Sequence, residues 1–498
     1  MIDFFIAGFG EILTPFCLLL VIFGVSMGIV FGSIPGLSAT MAIALFLPVS
    51  YNLTPMQGMT LLLSLYIGGV SGGLISAILL KIPGTPSSVA TCFDGFPMTQ
   101  KGEAIKALGI GIVFSFLGTL ISIVALIVLA PSIAKVAIRF GHFEYFSIAI
   151  FSLTMIATLA GKSMVKGLTS GVFGIMCATV GMAPVDAAPR FTLGNVNISA
   201  GLDILPVLIG MFALAEILSS AEELRRKKKS EILEIDTKNI KGFGFSLKEL
   251  KEQTGNMFRS AGIGLGIGIL PGLGGSTSNL LAYSVAKNQS KYPEKFGTGI
   301  IDGVVATETA NNASIGGAMI PLLTLGIPGD MATAMLLGGL MIHGLQPGPL
   351  LFTEQPVLIY GIFAAMIIAN FAMLFLEFYG LRLFVKALKL PKHILLPIVF
   401  VLCVVGAFGL SNRVFDTYVV IVFGIIGYMF IKLNLPVAPF IMGFILGPMA
   451  ESYFRRALML SQGSYAPFFT KPISLVFLLI AAASLLITLF RQYKKKPE

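Results

Sequence analysis

The 498-residue chain is 56% hydrophobic and 12% charged, with a mean hydropathy of +0.91 and a net charge of +10. Soluble domains carry about 25% charged residues, so a water-facing globular surface is excluded. The long runs are apolar on every face, which also excludes a β-barrel with its alternating strands, and an all-α polytopic membrane protein is left.

The first run, 12–31, follows "MIDFFIAGFGEILTPF", which has no basic leader and carries Asp3 and Glu11. It is expected to remain as a membrane anchor. It ends at "FGSIPGLSAT", 31–40. Proline removes a backbone donor and stops a helix, and glycine lets the backbone approach a ligand. The helix that restarts beyond such a break offers free N–H groups and a partial positive charge, which attract a carboxylate without a buried arginine. Pro35, Gly36, Ser38 and Thr40 are therefore candidates for lining a substrate. A second break, "KIPGTPSS", follows 58–80 and adds Pro83, Gly84, Thr85, Ser87 and Ser88, with Asp94 soon after in "CFDGFP". Further spans fall at 107–130, 143–160 and 202–218. "AGKS" at 160–163 has the ending of a Walker A loop, but Ile156 stands where its first glycine should be.

The densest charge, 222–253, lies mid-chain, and the chain ends in "RQYKKKPE". The positive-inside rule places both in the cytoplasm. The central run reads as a solvated loop; nucleic-acid binding would need more than a short mixed-charge linker. It separates a first transmembrane repeat, 1–220, from a second, 257–498, with 221–256 as the basic linker.

The second half repeats the first. "GILPGLGGST" brings Pro271, Gly272, Gly275, Ser276 and Thr277, with Asn279 beyond. "LGIPGD" brings Pro328, Gly329 and Asp330, with Thr333 beyond. "VFGIM" at 172–176 returns as "VFGII" at 422–426. The offsets are 236, 245 and 250 residues with the order kept, which makes an internal duplication. Gly/Pro-interrupted segments at matching places in two halves mark the binding region of a secondary transporter. Segments near 37–50, 58–80 and 330–343 could be re-entrant. Whether the halves are inverted or parallel depends on an odd or even number of crossings in each. Further apolar runs are 359–378, 394–410, 417–431 and 472–490.

Between the second-half breaks stands "TETANNASIGGAMIP", 307–321. On a helix, Glu308 shares a face with Asn311 or Asn312. A carboxylate with amide oxygens can ligate Na⁺, with Asn311 and Asn312 as ligands, or the carboxylate can carry a proton. Acids inside membrane segments are functional candidates; Asp94 and Asp330 join Glu308 on that ground. Two plainer readings stay open here: small residues that only permit close helix packing, and Glu308 as an exposed acid at a helix start. The cysteines (17, 92, 177, 403) and three histidines are scattered without metal-ligand spacing. H-E-x-x-H does not occur, and "GIGLGIGILPG" lacks the G-x-G-x-x-G spacing. No enzyme, no cofactor and no ATP-driven transport by this chain alone are expected.

"GSIPGLSATMAIALFLPVS", "ILLKIPGTPSSVATCFDGFP", "GILPGLGGSTSNLLAYSVAK", "ETANNASIGGAMIPLLTLGIPGD" and "GGLMIHGLQPGP" together resemble the TctA family, the large membrane subunit of tripartite tricarboxylate transporters. The resemblance covers nearly the whole chain; Lys81 departs from the neutral polar residue expected before Ile-Pro-Gly. It implies inverted repeats in an ion-transporter-superfamily-like elevator, with a scaffold that often forms a homodimer. It implies symport of citrate-like or other carboxylates with Na⁺ or H⁺ in the inner membrane of a bacterium or archaeon. The implied partners are a small TctB-like membrane subunit, a TctC-like extracytoplasmic solute-binding protein, the carboxylate and membrane lipid, with no nucleic acid. A passive anion channel and a stand-alone carrier without a binding protein are the alternatives.

Overall fold

The computed structural model describes residues 2–159, 163–226, 243–388 and 391–494. Residues 160–162 of "AGKS", residues 227–242 of the charged run 222–253 and the last four residues lie outside the described residues. The chain divides into two units, Met1–Ser132 with Ser219–Gly406, and Ile133–Leu218 with Ala407–Glu498. Each unit takes helices from both sequence halves.

The first unit opens with α1 (Ile2–Ile12), α2 (Pro15–Ser33), α3 (Ala39–Ser50), α4 (Pro55–Leu80), α5 (Thr91–Gln100) and α6 (Ala104–Ala137), which continues into the second unit. Gly24, Gly28 and Gly32 recur one turn apart on α2 and lie against α4. A Cβ on Gly28 would fall 2.7 Å from the Gly69 nitrogen. Small residues let the two backbones touch, side by side and parallel. At Gly36 the backbone takes φ 88°, and the chain doubles back as α3, whose Ala39 rests on Gly69 and whose end reaches Gly58. Thr54 and Gln57 form a capping box that starts α4. Lys81 ends α4 in the left-handed conformation, φ 58°. It is exposed, with its ammonium 5.8 Å from the Phe96 ring centre. The chain then folds back until Gly84 presses on Gly73 and on the Gly32 carbonyl.

The second unit contains α7 (His142–Leu159), α8 (Met164–Ala178), a two-stranded hairpin (Gly181–Met182 with Pro189–Arg190) and the start of α9. α9 runs Ile204–Leu208, passes a π-helical stretch, Ile209–Leu214, and continues as Ala215–Arg226.

The first unit resumes beyond the linker. α10 (Thr254–Ile269) lies parallel to α12 (Ile301–Leu325) through Gly264 on Ala310 and Gly268 on Ser314 and Gly317. Gly272 takes φ 81°. α11 (Gly274–Gln289) doubles back along α12, with the Ser278 hydroxyl on the Ala310 carbonyl and the Asn279 amide on that of Thr307. Gly326 ends α12 left-handed, and Gly329 returns onto Ala318 and the Gly268 carbonyl before α13 (Met331–Ile342). The returning elements then cross between halves. α11 lies on α5 and the turn before it, while α13 lies on α3 and α4.

α14 (Pro356–Tyr379) runs parallel to α4, with Met56 against Gly361 and Ser71 against Glu377. α6 is antiparallel to α14: Asn370 donates to the Phe116 carbonyl, and Phe243 bridges Gly109 and Phe378. α12 runs with α6, since Ser115 meets Glu308 and Ser122 meets Gly316. The long buried helices α4 and α12 therefore point in opposite directions.

The described end of the linker is pinned by a short helix, Leu247–Glu252, whose Glu249 pairs with Lys106 at 2.6 Å. Lys106, with the Ser246 backbone, holds the Glu249 carboxyl at about 2. A depressed carboxyl stabilises the fold above its ordinary value and loses that contribution as pH falls through the folded value. Protection of 243–256 from proteolysis is thus expected to persist to about pH 3. Lys106→Met is expected to speed cleavage there about threefold at neutral pH, a modest effect because both groups are part-exposed.

The second unit is completed by the end of α15 (Lys392–Ser411), α16 (Val414–Leu433), α17 (Val437–Leu460) and α18 (Pro472–Lys494). Gly174 of "VFGIM" packs on Phe440 of α17, and Gly424 of "VFGII" packs on Leu214 of α9. Arg190 pairs with Glu451, and Asp186 with Arg455, each at 2.9 Å, tying the hairpin to α17. Among the described residues α2, α4, α6, α9, α14, α16 and α17 are long and apolar enough to cross a membrane. The protein is a multi-pass membrane protein.

Candidate functional site

The breaks begin helical segments whose starts are satisfied differently. Ser38 accepts from the Met41 N–H at 3.1 Å and so caps α3. Asp330 accepts from the Thr333 N–H at 2.7 Å and caps α13. Thr85 and Ser88 cap each other across the turn Pro86–Ser88. α11, which starts at Gly274, has no side-chain cap. Its first-turn N–H groups are therefore left for a ligand or water, with the positive end of the helix dipole behind them.

Asn311 of α12 stands at this start. Its Oδ1 occupies the space a Gly275 Cβ would need; Ser87 Cβ lies 3.0 Å and Ser314 Oγ 3.3 Å from the same point. Ser87 belongs to the first half and Gly275 to the second, so loops from both halves meet at one amide. Asn311 is fully buried, and neither atom of its amide has a hydrogen-bond partner among the described residues. Buried polar groups are nearly always paired, which makes this amide a candidate ligand contact. Ser276 and Thr277, on the first turn of α11, are half-buried beside it.

Two acids flank this point. Asp330 accepts from the Tyr66 hydroxyl at 2.6 Å and from the Thr333 hydroxyl at 2.7 Å, and its Cβ lies against Gly274. Glu308 accepts from Thr91 and Ser115, the latter at 3.1 Å, and from the Asn312 amide at 3.4 Å. Asn312 also donates to Ser115 at 2.8 Å, while its own side-chain carbonyl oxygen has no partner among the described residues. Asn279 holds the neighbouring turn, accepting from the Ala90 N–H at 2.8 Å and donating to Thr91 at 3.3 Å. Glu308 is fully buried inside α12, not exposed at a helix start. Among the described residues the fully buried charged side chains are all acidic, and the partners of Glu308 are neutral.

Asp94 is spent on architecture. One oxygen accepts from the N–H groups of Gly297, Gly299 and Ile300 at 2.8–3.0 Å, and the other from the Tyr283 hydroxyl at 2.9 Å. Asp94→Ala would strand those donors, each at about 1–3 kcal/mol. The expected result is a large fall in melting temperature and folded yield. Normal melting with selectively lost uptake would return Asp94 to the ion-binding candidates.

The remaining candidates form the frame. Pro35, Gly36, Pro83, Gly84, Pro271, Gly272, Pro328 and Gly329 shape the four reversals, and the buried Thr40 lies in the first turn of α3. The Gly36 carbonyl accepts from Ser220 at 3.1 Å, and the Gly329 carbonyl from the Gly272 N–H at 2.7 Å. Sequence reasoning missed Tyr66, Thr91, Ser115 and Ser314, which carry no local signal. It also missed Glu377, an acid within the apolar run 359–378.

The family model described as the tripartite tricarboxylate transporter TctA family matches residues 18–442. An uncharacterized 52.8 kDa protein in the TAR-I ttuC′ 3′ region of Agrobacterium vitis is 34% identical over 489 residues, covering 98% of this chain and 96% of that protein. An uncharacterized protein in the TAR-II ttuC′ 3′ region of the same organism is 39% identical over 230 residues, covering 46% of this chain and 95% of that protein. No solved structure matches. The chain belongs to the tripartite tricarboxylate transporter TctA family and is a transporter component.

Proposed function

We propose that this TctA-family chain is the permease of a carboxylate uptake system, moving citrate-like or related acids by symport with Na⁺ or H⁺. The observation that carries the reading is the unpartnered, buried Asn311 amide at the uncapped start of α11. A substrate carboxylate there would accept from the α11 N–H groups and, with the Asn311 amide turned over, from its Nδ2, with Ser87, Ser276 and Thr277 around it. No buried Lys or Arg stands among the described residues to balance that anion. A coupling cation at Glu308 and Asn312 supplies the missing charge, since a carboxylate buried among neutral donors is poorly stabilised without one. Asp330, already engaged by Tyr66 and Thr333, positions the start of α13 beside Gly274.

The matching paths of α2–α4 and α10–α12, with α4 opposed to α12, support inverted repeats. An elevator follows if the first unit carries the site and the second forms the scaffold of a homodimer. A small membrane subunit and an extracytoplasmic solute-binding protein complete the proposed system in a bacterial or archaeal inner membrane. Uptake of labelled citrate and related acids into proteoliposomes, with the binding protein present or absent and Na⁺ and pH gradients varied separately, tests the reading. Accumulation that requires a gradient is expected. Conduction without accumulation would replace the permease with a passive anion channel, and full activity without a binding protein would make it a stand-alone carrier.

A further inference from the structure

We propose that Glu377, together with Ser71, is a second and separate ion site, one that binds and releases the coupling proton; the inference rests on the permease reading above. Glu377 is fully buried on α14. The Ser71 hydroxyl of α4 donates to its Oε2 at 2.6 Å, and its Oε1 has no partner among the described residues. A carboxylate sealed from water with half its acceptors empty is a costly group to retain for packing alone. Binding one proton neutralises it, and the serine suits both states. Its hydroxyl donates to the carboxylate and can accept from the acid.

The surroundings favour a proton over a larger cation. A proton needs only one acceptor, which Oε1 supplies, and Ser71 is the one hydrogen-bonding partner of Glu377 among the described residues. Charged groups on the neighbouring elements do not compete. Asp3 and Glu11 of α1, Lys81 after α4, Glu354 before α14, and Arg382 and Lys386 after α14 are exposed. On α2 the one ionisable side chain is Cys17, far from this level. Tyr66 of α4 is bound to Asp330, and Lys106 of α6 to Glu249. Among the described residues Glu308 is the one acid that bears on Glu377 electrostatically.

Position gives the site a direction. Glu377 is two residues from the end of α14, about 3 Å of helix rise. The adjacent Phe378 ring packs 4.1 Å from Phe243 at the described edge of the basic linker. If that linker is cytoplasmic, as its charge predicts, Glu377 stands at the inner mouth and hands the proton to the cytoplasm. On the other face of α4, Gly73 abuts Thr85 and Ser88 of the first-half break. A movement of that break would therefore reach α4 beside Ser71.

Infrared difference spectra of the purified full chain between acid and alkaline pH test the site without any substrate. The carbonyl band of a protonated carboxylic acid, shifted in D₂O, is expected in the parent and in Glu308→Gln, reduced by one group in Glu377→Gln. Ser71→Ala, a variant that keeps the acid, is expected to retain the band and move its midpoint. In proteoliposomes Glu377→Gln is expected to lower the ratio of pH-gradient-driven accumulation to substrate exchange at least tenfold. An unchanged band or an unchanged ratio in Glu377→Gln overturns the proposal, as does a Ser71→Ala midpoint identical to the parent's. A parent protein that neither accumulates nor exchanges any carboxylate would instead sink the permease reading, while the infrared band would still decide whether Glu377 takes a proton.

Discussion

Asn311→Ala is expected to lower carboxylate uptake about 10- to 100-fold while leaving the melting temperature of the protein unchanged or slightly raised. The two halves of this expectation come from one fact, the absence of any partner for the amide among the described residues. Truncating a paired, buried amide strands its partner and costs about 1–3 kcal/mol. Here nothing is stranded, because the transfer penalty of burying the amide is already present in the folded chain. A hydrogen bond to a charged ligand contributes about 1.5–3 kcal/mol, which is the stated range in affinity. Substrate binding to the purified protein and a thermal melt of the same sample check both halves. A variant that melts far below the parent would show that Asn311 is a packing residue with no ligand role. One that keeps full affinity would move the substrate away from the start of α11.

Much of this arrangement could be read from the sequence, because proline and glycine act locally. The four breaks fall where "IPGL", "IPGT", "LPGL" and "IPGD" predict them, and Gly36 and Gly272 take the positive φ that a reversal needs. The role of each hydroxyl was not local. Ser38 and Gly274 look like equivalent positions of a repeat, yet Ser38 has its oxygen on Met41 and α11 has no side-chain cap. Asp94 and Glu308 are both acids at membrane depth by sequence. One is saturated by backbone donors from 203 to 206 residues away, and the other faces neutral side chains on α5, α6 and α12. Such differences depend on which segments the fold brings to a carboxylate, and hydropathy carries no record of that. Glu377 was hidden for the converse reason, since a single acid near the end of an apolar run looks like an interfacial residue until Ser71 is placed against it.

Gly275→Ala should have the other large effect, and Gly266→Ala, one helix earlier, should have none. A methyl group on Gly275 would run into Asn311 Oδ1 and come within 3.0 Å of Ser87 Cβ, filling the point where the two halves meet. On Gly266 it would meet nothing within 4 Å. Both sites are helical, so alanine gains up to about 1 kcal/mol of propensity at each. At Gly275 overpacking opposes this gain by about 1–3 kcal/mol. Uptake by Gly275→Ala is therefore expected to fall more than tenfold with only a small shift in melting temperature. Gly266→Ala should transport normally and melt at or above the parent temperature. The double variant Gly275→Ala, Asn311→Ala separates obstruction from misfolding. Removing the asparagine side chain makes room for the new methyl, so the two changes should couple in stability and the melting temperature should recover. Uptake should not recover, because the amide that would meet the carboxylate is gone. Recovery of both would mean that the methyl had only disturbed packing, and the substrate would then have to lie elsewhere among the four breaks.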